Sequence, residues 1–159
     1  MNPVRNMRYP RNEKISNGVK VTIRNSQKTI PIDWRTIKKA TLKVLSSQSK
    51  RKSGEINLCF VSDKKIKQLN LLYLGKNEPT DVISFDLTEA HDAEKKLFAD
   101  IIISADTALS NSKIFKTDPL YEIHMYVVHG LLHLLGYDDG TLKQRKRMEQ
   151  KTKQILRTL

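Results

Sequence analysis

The 159-residue chain has little of what small proteins commonly use to staple themselves together or to enter a membrane. Its one cysteine, Cys59, excludes an internal disulfide and a cysteine-rich zinc site, and a lone thiol suits a reducing compartment. No apolar run approaches the roughly 18 residues of a membrane span. The basic N-terminus MNPVRNMRYPRNEK lacks the apolar segment of a signal peptide. A soluble cytoplasmic protein with no membrane and no disulfide partner is expected. Acidic residues are also scarce, with 17 Asp and Glu against 29 Lys and Arg, for a net charge of +12. That surplus favours a polyanionic partner, provided the charge is gathered somewhere.

It is gathered at the ends. Residues 1–52 carry 14 basic and two acidic side chains, and residues 141–159 carry 7 and one. The stretch between them has 8 basic and 14 acidic residues, so the centre of the chain is net acidic. Residues 1–16 contain two prolines and no hydrophobic period, and read as a mobile basic arm. Residues 17–159 read as one folded domain, with neither an internal repeat nor a linker to divide them.

Within that domain, Val19, Val21 and Ile23 alternate with polar residues, as do Ile56, Leu58 and Phe60, and both runs read as strands. DVISFDL (81–87) and FADIIIS (98–104) are two more, separated by a polar loop over 88–97. Cys59 reads as an ordinary strand residue. Asp33 fits a helix N-cap, followed at helical spacing by Trp34, Ile37, Thr41, Val44 and Leu45, which places Trp34 in the core. The segment SQSKRKSG (47–54) ends that helix, and its Lys50, Arg51 and Lys52 mark an exposed loop. A short helix capped by Asp63 and ended by Gly75 follows, then one over 106–115. Pro119 opens the most apolar helix, ending at Gly136, and a basic amphipathic helix covers 141–159. The expected fold is α+β, a mixed four-stranded sheet with about five helices.

The sharpest motif is VHGLLHLLGYDD, residues 128–139. Histidines four apart project from one helical face, one turn apart, so His129 and His133 can bind one metal through two ring nitrogens. A bare pair of this kind is as often two buried, hydrogen-bonded histidines. Gly136 tilts the balance, because glycine can take the left-handed conformation that ends a helix and reverses the chain. Asp139 can then return to the same metal. The spacing H-x3-H-x2-G-x2-D matches the metzincin template in every interval, making this a metzincin-like zinc helix. Two identities differ. Gly130 stands where those peptidases carry a general-base glutamate, and Asp139 stands where they carry a third histidine. Two imidazoles and a carboxylate favour one zinc ion (Zn2+) per chain, with a fourth position left for an activated water. Asp138 competes for the ligand role at a less suitable spacing.

The motif HGLLHLLGYDD resembles the YbeY family of bacterial metal-dependent endoribonucleases, whose signature reads HGxLHLxGYDH. LNLLYLGKNEPTDVISF (69–85) and FADIIIS (98–104) echo two further blocks of that family, in the same order. The resemblance implies cleavage of single-stranded RNA, a role in 16S rRNA 3′-end maturation and ribosome quality control, and contact with the small ribosomal subunit. It puts the metal on His129, His133 and Asp139, with no catalytic side chain beyond the metal-bound water. It also marks two departures, Asp139 for the family's last histidine and Leu74 for an arginine that would hold a phosphate. Lys76 is the candidate to replace that arginine, and the Ser84 hydroxyl is a candidate substrate contact. The alternative is a weakly active or non-catalytic ribosome-assembly factor that binds RNA and keeps a structural zinc. With aromatic residues at 6%, base stacking should be a minor part of RNA affinity in either case.

Overall fold

The computed structural model describes residues 11–16, 18–51 and 53–159. Five strands form one mixed sheet in the order β1-β2-β3-β5-β4. They are β1 (Arg11–Ser16), β2 (Val19–Asn25), β3 (Ser53–Val61), β4 (Val82–Asp86) and β5 (Lys96–Ser104). The helices are α1 (Trp34–Gln48), α2 (Asp63–Leu74), α3 (Ala105–Phe115), α4 (Pro119–Leu134) and α5 (Leu142–Leu156). A 3-10 turn at Ala90–Asp92 interrupts the 88–97 loop. The four expected strands are thus β2 to β5, and the class is α+β as expected.

The fifth strand corrects the reading of the N-terminal arm. Residues 11–16 pair antiparallel with β2, from Arg11 opposite Arg24 to Ser16 opposite Val19. Residues 1–10 of the expected arm lie outside the described residues. An edge strand is held by main-chain pairing on one side and needs no hydrophobic period, so composition gives little sign of it.

The centre of the sheet follows from its pairing. β3 runs parallel to both β2 and β5, while β4 closes the far edge antiparallel to β5. Strands flanked on both sides and covered on both faces are largely apolar, which is why β5 reads as a buried strand through Ile101, Ile102 and Ile103. One face carries Val21, Ile23, Ile56, Leu58, Ala99, Ile101 and Ile103 against the buried sides of α1, α4 and α5. The other carries Cys59, Val61, Ile83 and Ile102 against Ile66 and Leu69 of α2. Burial pushes the Cys59 thiol up to about 12, so it is inert as a nucleophile.

Two local expectations change. Trp34 is the first helical residue of α1 and is 37% exposed, with the Arg35 guanidinium 5.1 Å from its ring centroid. At that end of the helix the side chain lies over the N-terminal turn, beyond the sheet. Ser62, not Asp63, caps α2 by accepting from the Lys65 N–H, while Asp63 occupies the first helical position. There its carboxylate accepts the Thr107 hydroxyl at 2.6 Å and so ties α2 to α3.

A buried polar row crosses the sheet behind the core, with Thr22, Asn57 and Asp100 in register on β2, β3 and β5. Asn57 Nδ2 donates to Asp100 Oδ1 at 2.8 Å. Burial raises the Asp100 carboxyl to about 6, against the pull of the Asn57 hydrogen bond and of Arg24. An unfolded aspartate titrates near 3.9. Between those values the folded chain keeps a proton that the unfolded chain has released, so stability falls as pH rises through this window. At about 1.4 kcal/mol per pH unit the loss comes to about 2–3 kcal/mol. Asp100→Asn should flatten that slope, as read from urea midpoints between about pH 4 and 6. An unchanged slope would assign it to other carboxyls.

Candidate metal centre

Helix α4 carries the histidines, and its ends are defined chemically. The Asp118 carboxylate accepts the N–H groups of Leu120 and Tyr121, and Pro119 occupies the first turn, where it costs no hydrogen bond. At the other end the Gly136 N–H donates to His133 O and the Tyr137 N–H donates to Leu132 O, each at 3.0 Å. Gly136 sits at φ +91, so this is a Schellman turn, which reverses the chain as the motif requires.

The reversal brings Asp139 back over the helix. His129 Nε2 and His133 Nε2 are 3.1 Å apart, and Asp139 Oδ2 lies 3.9 and 3.7 Å from them. The centre of a triangle with those sides is about 2.1 Å from each corner, the length of a zinc bond to imidazole nitrogen or carboxylate oxygen. The donor set therefore fits a small divalent ion, and these three residues could hold one. The histidine side chains are 31% and 32% exposed, so the centre is open to a substrate. Asp138 takes another role. It is exposed, and its Oδ1 accepts the N–H groups of Asp139 and Gly140, which holds the turn.

The surroundings of His129 favour a neutral imidazole. Burial, and then the neighbouring His133, hold His129 below the usual histidine range, while Asp81 and Asp139 pull the other way. His133 Nδ1 lies 3.2 Å from Tyr137 O. A carbonyl can only accept, so the proton resides on Nδ1 and the Nε2 lone pair faces the other donors. The Tyr137 hydroxyl donates to Gln48 Oε1 at 3.0 Å, and Arg51 Nη2 donates to Leu134 O at 2.8 Å. Arg51 also pairs with Asp86 at 3.3 Å. Two residues around the end of α1 thus clamp the turn that carries the donors. Arg51 is consequently no member of a solvated basic run, and nothing in its sequence setting marks it as a clamp.

Gly130 has a packing explanation. A Cβ there would stand 2.9 Å from Ile101 Cγ2, 2.9 Å from Ser84 Oγ and 3.0 Å from Val82 Cγ2. The helix lies too close to β4 and β5 for any side chain, a glutamate included. Ser84 donates its hydroxyl to Gly130 O at 3.0 Å. Its hydrogen is committed to holding α4 on the sheet. Lys76 is exposed in the turn after α2, with its backbone N–H donating to Asn70 O, and Leu74 is 54% exposed.

Comparison with known proteins gives a consistent result. A family model described as endoribonuclease YbeY matches residues 22–159. A protein of Syntrophus aciditrophicus named endoribonuclease YbeY is 40% identical over 120 residues, 74% of each chain. One of Alkaliphilus metalliredigens with the same name is 33% identical over 145 residues, covering 87% of this chain and 94% of that one. Among solved structures, the solution structure of a Thermotoga maritima protein aligns over 85% of each chain, with 25% identity and a TM-score of 0.53.

Proposed function

Because the chain belongs to the YbeY endoribonuclease family, we propose that it hydrolyses phosphodiester bonds of single-stranded RNA at the His129–His133–Asp139 centre. We assign zinc as the metal, ribosomal RNA on the small subunit as the substrate, and 16S rRNA 3′-end maturation with ribosome quality control as the cytoplasmic role. The observation that carries the reading is the donor triangle, whose dimensions suit zinc. Bound there, zinc would polarise a phosphoryl oxygen and acidify water at neutral pH.

The chain's own residues do the rest. His133 is held in the ligating tautomer by Tyr137 O, and Asp139 adds one negative charge to the donor set. Gly130 leaves no carboxylate beside the histidines to shuttle a proton to a leaving amine, which supports a phosphodiester over a peptide substrate. A splayed single strand reaches a donor set on a helix end more readily than a duplex does. Among the described residues no helix is long and apolar enough to cross a membrane.

Leu74, exposed where the family's arginine would hold a phosphate, favours the second reading of an RNA-binding assembly factor with a structural zinc. One assay separates the two. Purified protein is incubated with single-stranded RNA, with a chelator, and with zinc restored. The nuclease reading expects cleavage that the chelator abolishes and zinc recovers. Stoichiometric zinc without cleavage supports the assembly factor, and cleavage indifferent to chelator refutes the metal mechanism.

A further inference from the structure

Two hollows adjoin beside the α4–α5 turn, with Leu135 and Gly136 lining both. The larger, about 750 Å³, is also lined by Lys50, Arg51 and Glu94. The smaller, about 270 Å³, is bounded by Tyr137, Asp138, Gln144 and Arg147. At Gly136 the common wall is bare backbone, since a Cβ there would meet no atom within 4 Å.

The charges that matter are positioned for a polyanion. Arg147 is exposed, and its guanidinium lies 5.6 Å from the Tyr137 ring centroid. A planar cation on an aromatic face presents its N–H fork outward, the geometry that grips a phosphate in bidentate fashion. Lys50 is exposed at the opposite end, and neither cation has a carboxylate partner among the described residues. Of the two acids, Asp138 is engaged by backbone N–H groups, and Glu94 is an exposed lining residue of the larger hollow. Asp138, the residue before Asp139, lines the smaller hollow.

We infer that this double hollow is the path of the RNA strand on one side of the cleaved bond, with Lys50 and Arg147 contacting its phosphates. The assignment rests on the nuclease reading above. It also supplies phosphate contacts on a side of the molecule that does not depend on Leu74.

The test measures binding of a fluorescent single-stranded RNA of about twelve nucleotides to the zinc-loaded protein. Salt is varied between about 50 and 200 mM, and cleavage is followed in parallel. Each phosphate contact on a single strand contributes about 0.7 to the slope of log affinity against log salt. Lys50→Ala with Arg147→Ala should lower that slope by about 1.4 and weaken binding about tenfold. Arg147→Glu should weaken it as well. The control is Lys28→Ala with Lys113→Ala, which removes equal charge from exposed sites elsewhere and should leave the slope nearly intact. A double variant that binds like the wild type, or a control that loses as much, would overturn the path. If the wild type binds through this path but never cuts, the nuclease reading fails and the path stands. If it cuts while the double variant binds and cuts as well as the wild type, the path fails alone.

Discussion

His133→Ala should release the metal and lower RNA cleavage by at least about 10²-fold, with the sheet intact. Losing a group that only hydrogen-bonds a metal ligand already costs about 10–100-fold in metal affinity or activity. This variant would lose a proposed donor atom and also the His133 Nδ1 contact to Tyr137 O, so its effect should exceed that range. Its side chain is a third exposed, so the core loses little. Metal content after dialysis, read beside circular dichroism, separates lost metal from lost fold. A variant that keeps one zinc per chain and its chelator-sensitive cleavage would move the metal elsewhere. Asp139→His is the informative partner. It restores the donor set of the family signature, should retain zinc, and should shift the rate profile toward lower pH, because a neutral donor leaves more of the metal's charge uncompensated.

The second large effect is expected at Gly130. In an exposed helix, alanine in place of glycine would gain about 1 kcal/mol. Here the added Cβ meets three atoms at 3.0 Å or less, two of them on branched side chains of β4 and β5. Overpacking of that kind costs about 1–3 kcal/mol, and the upper figure applies because the helix cannot move away without breaking the Ser84 bond to Gly130 O. Packing outweighs propensity by about 2 kcal/mol, a fall of roughly 4–8 °C in thermal midpoint for a chain of this length. Cleavage should drop further than stability, since displacing the histidines by about 1 Å can cost 10²-fold. Adding Ser84→Ala to Gly130→Ala should recover part of the midpoint. A midpoint that rises in Gly130→Ala would show that the helix has room after all.

Much of this centre is legible in the chain because it is local. The histidine pair needs only the helical period, and Gly136 with Asp139 needs only the turn that glycine permits. Helix α4 announces itself through Pro119, and β5 through its run of isoleucines from Ile101 to Ile103. The contacts that escaped the reading join distant segments. Arg51 reaches Leu134 O across 83 positions and Ser84 reaches Gly130 O across 46. In sequence the first looks like part of a charged run and the second like ordinary strand chemistry. Edge strand β1 escaped for another reason, because its partner is backbone. Gly130 reads in sequence only as a missing glutamate, and its close approach to Ile101, Ser84 and Val82 appears once the helix is placed on the sheet.

The donors also share a short span of chain, from His129 to Asp139, and that has a consequence for substitution. Closing so small a ring costs little entropy, and the side chain of Asp139 itself is no part of the hydrophobic core. A mutation there changes the chemistry of the chelate and leaves folding alone. Residue 139 is therefore a position where the scaffold can absorb a substitution that would alter a metal held there.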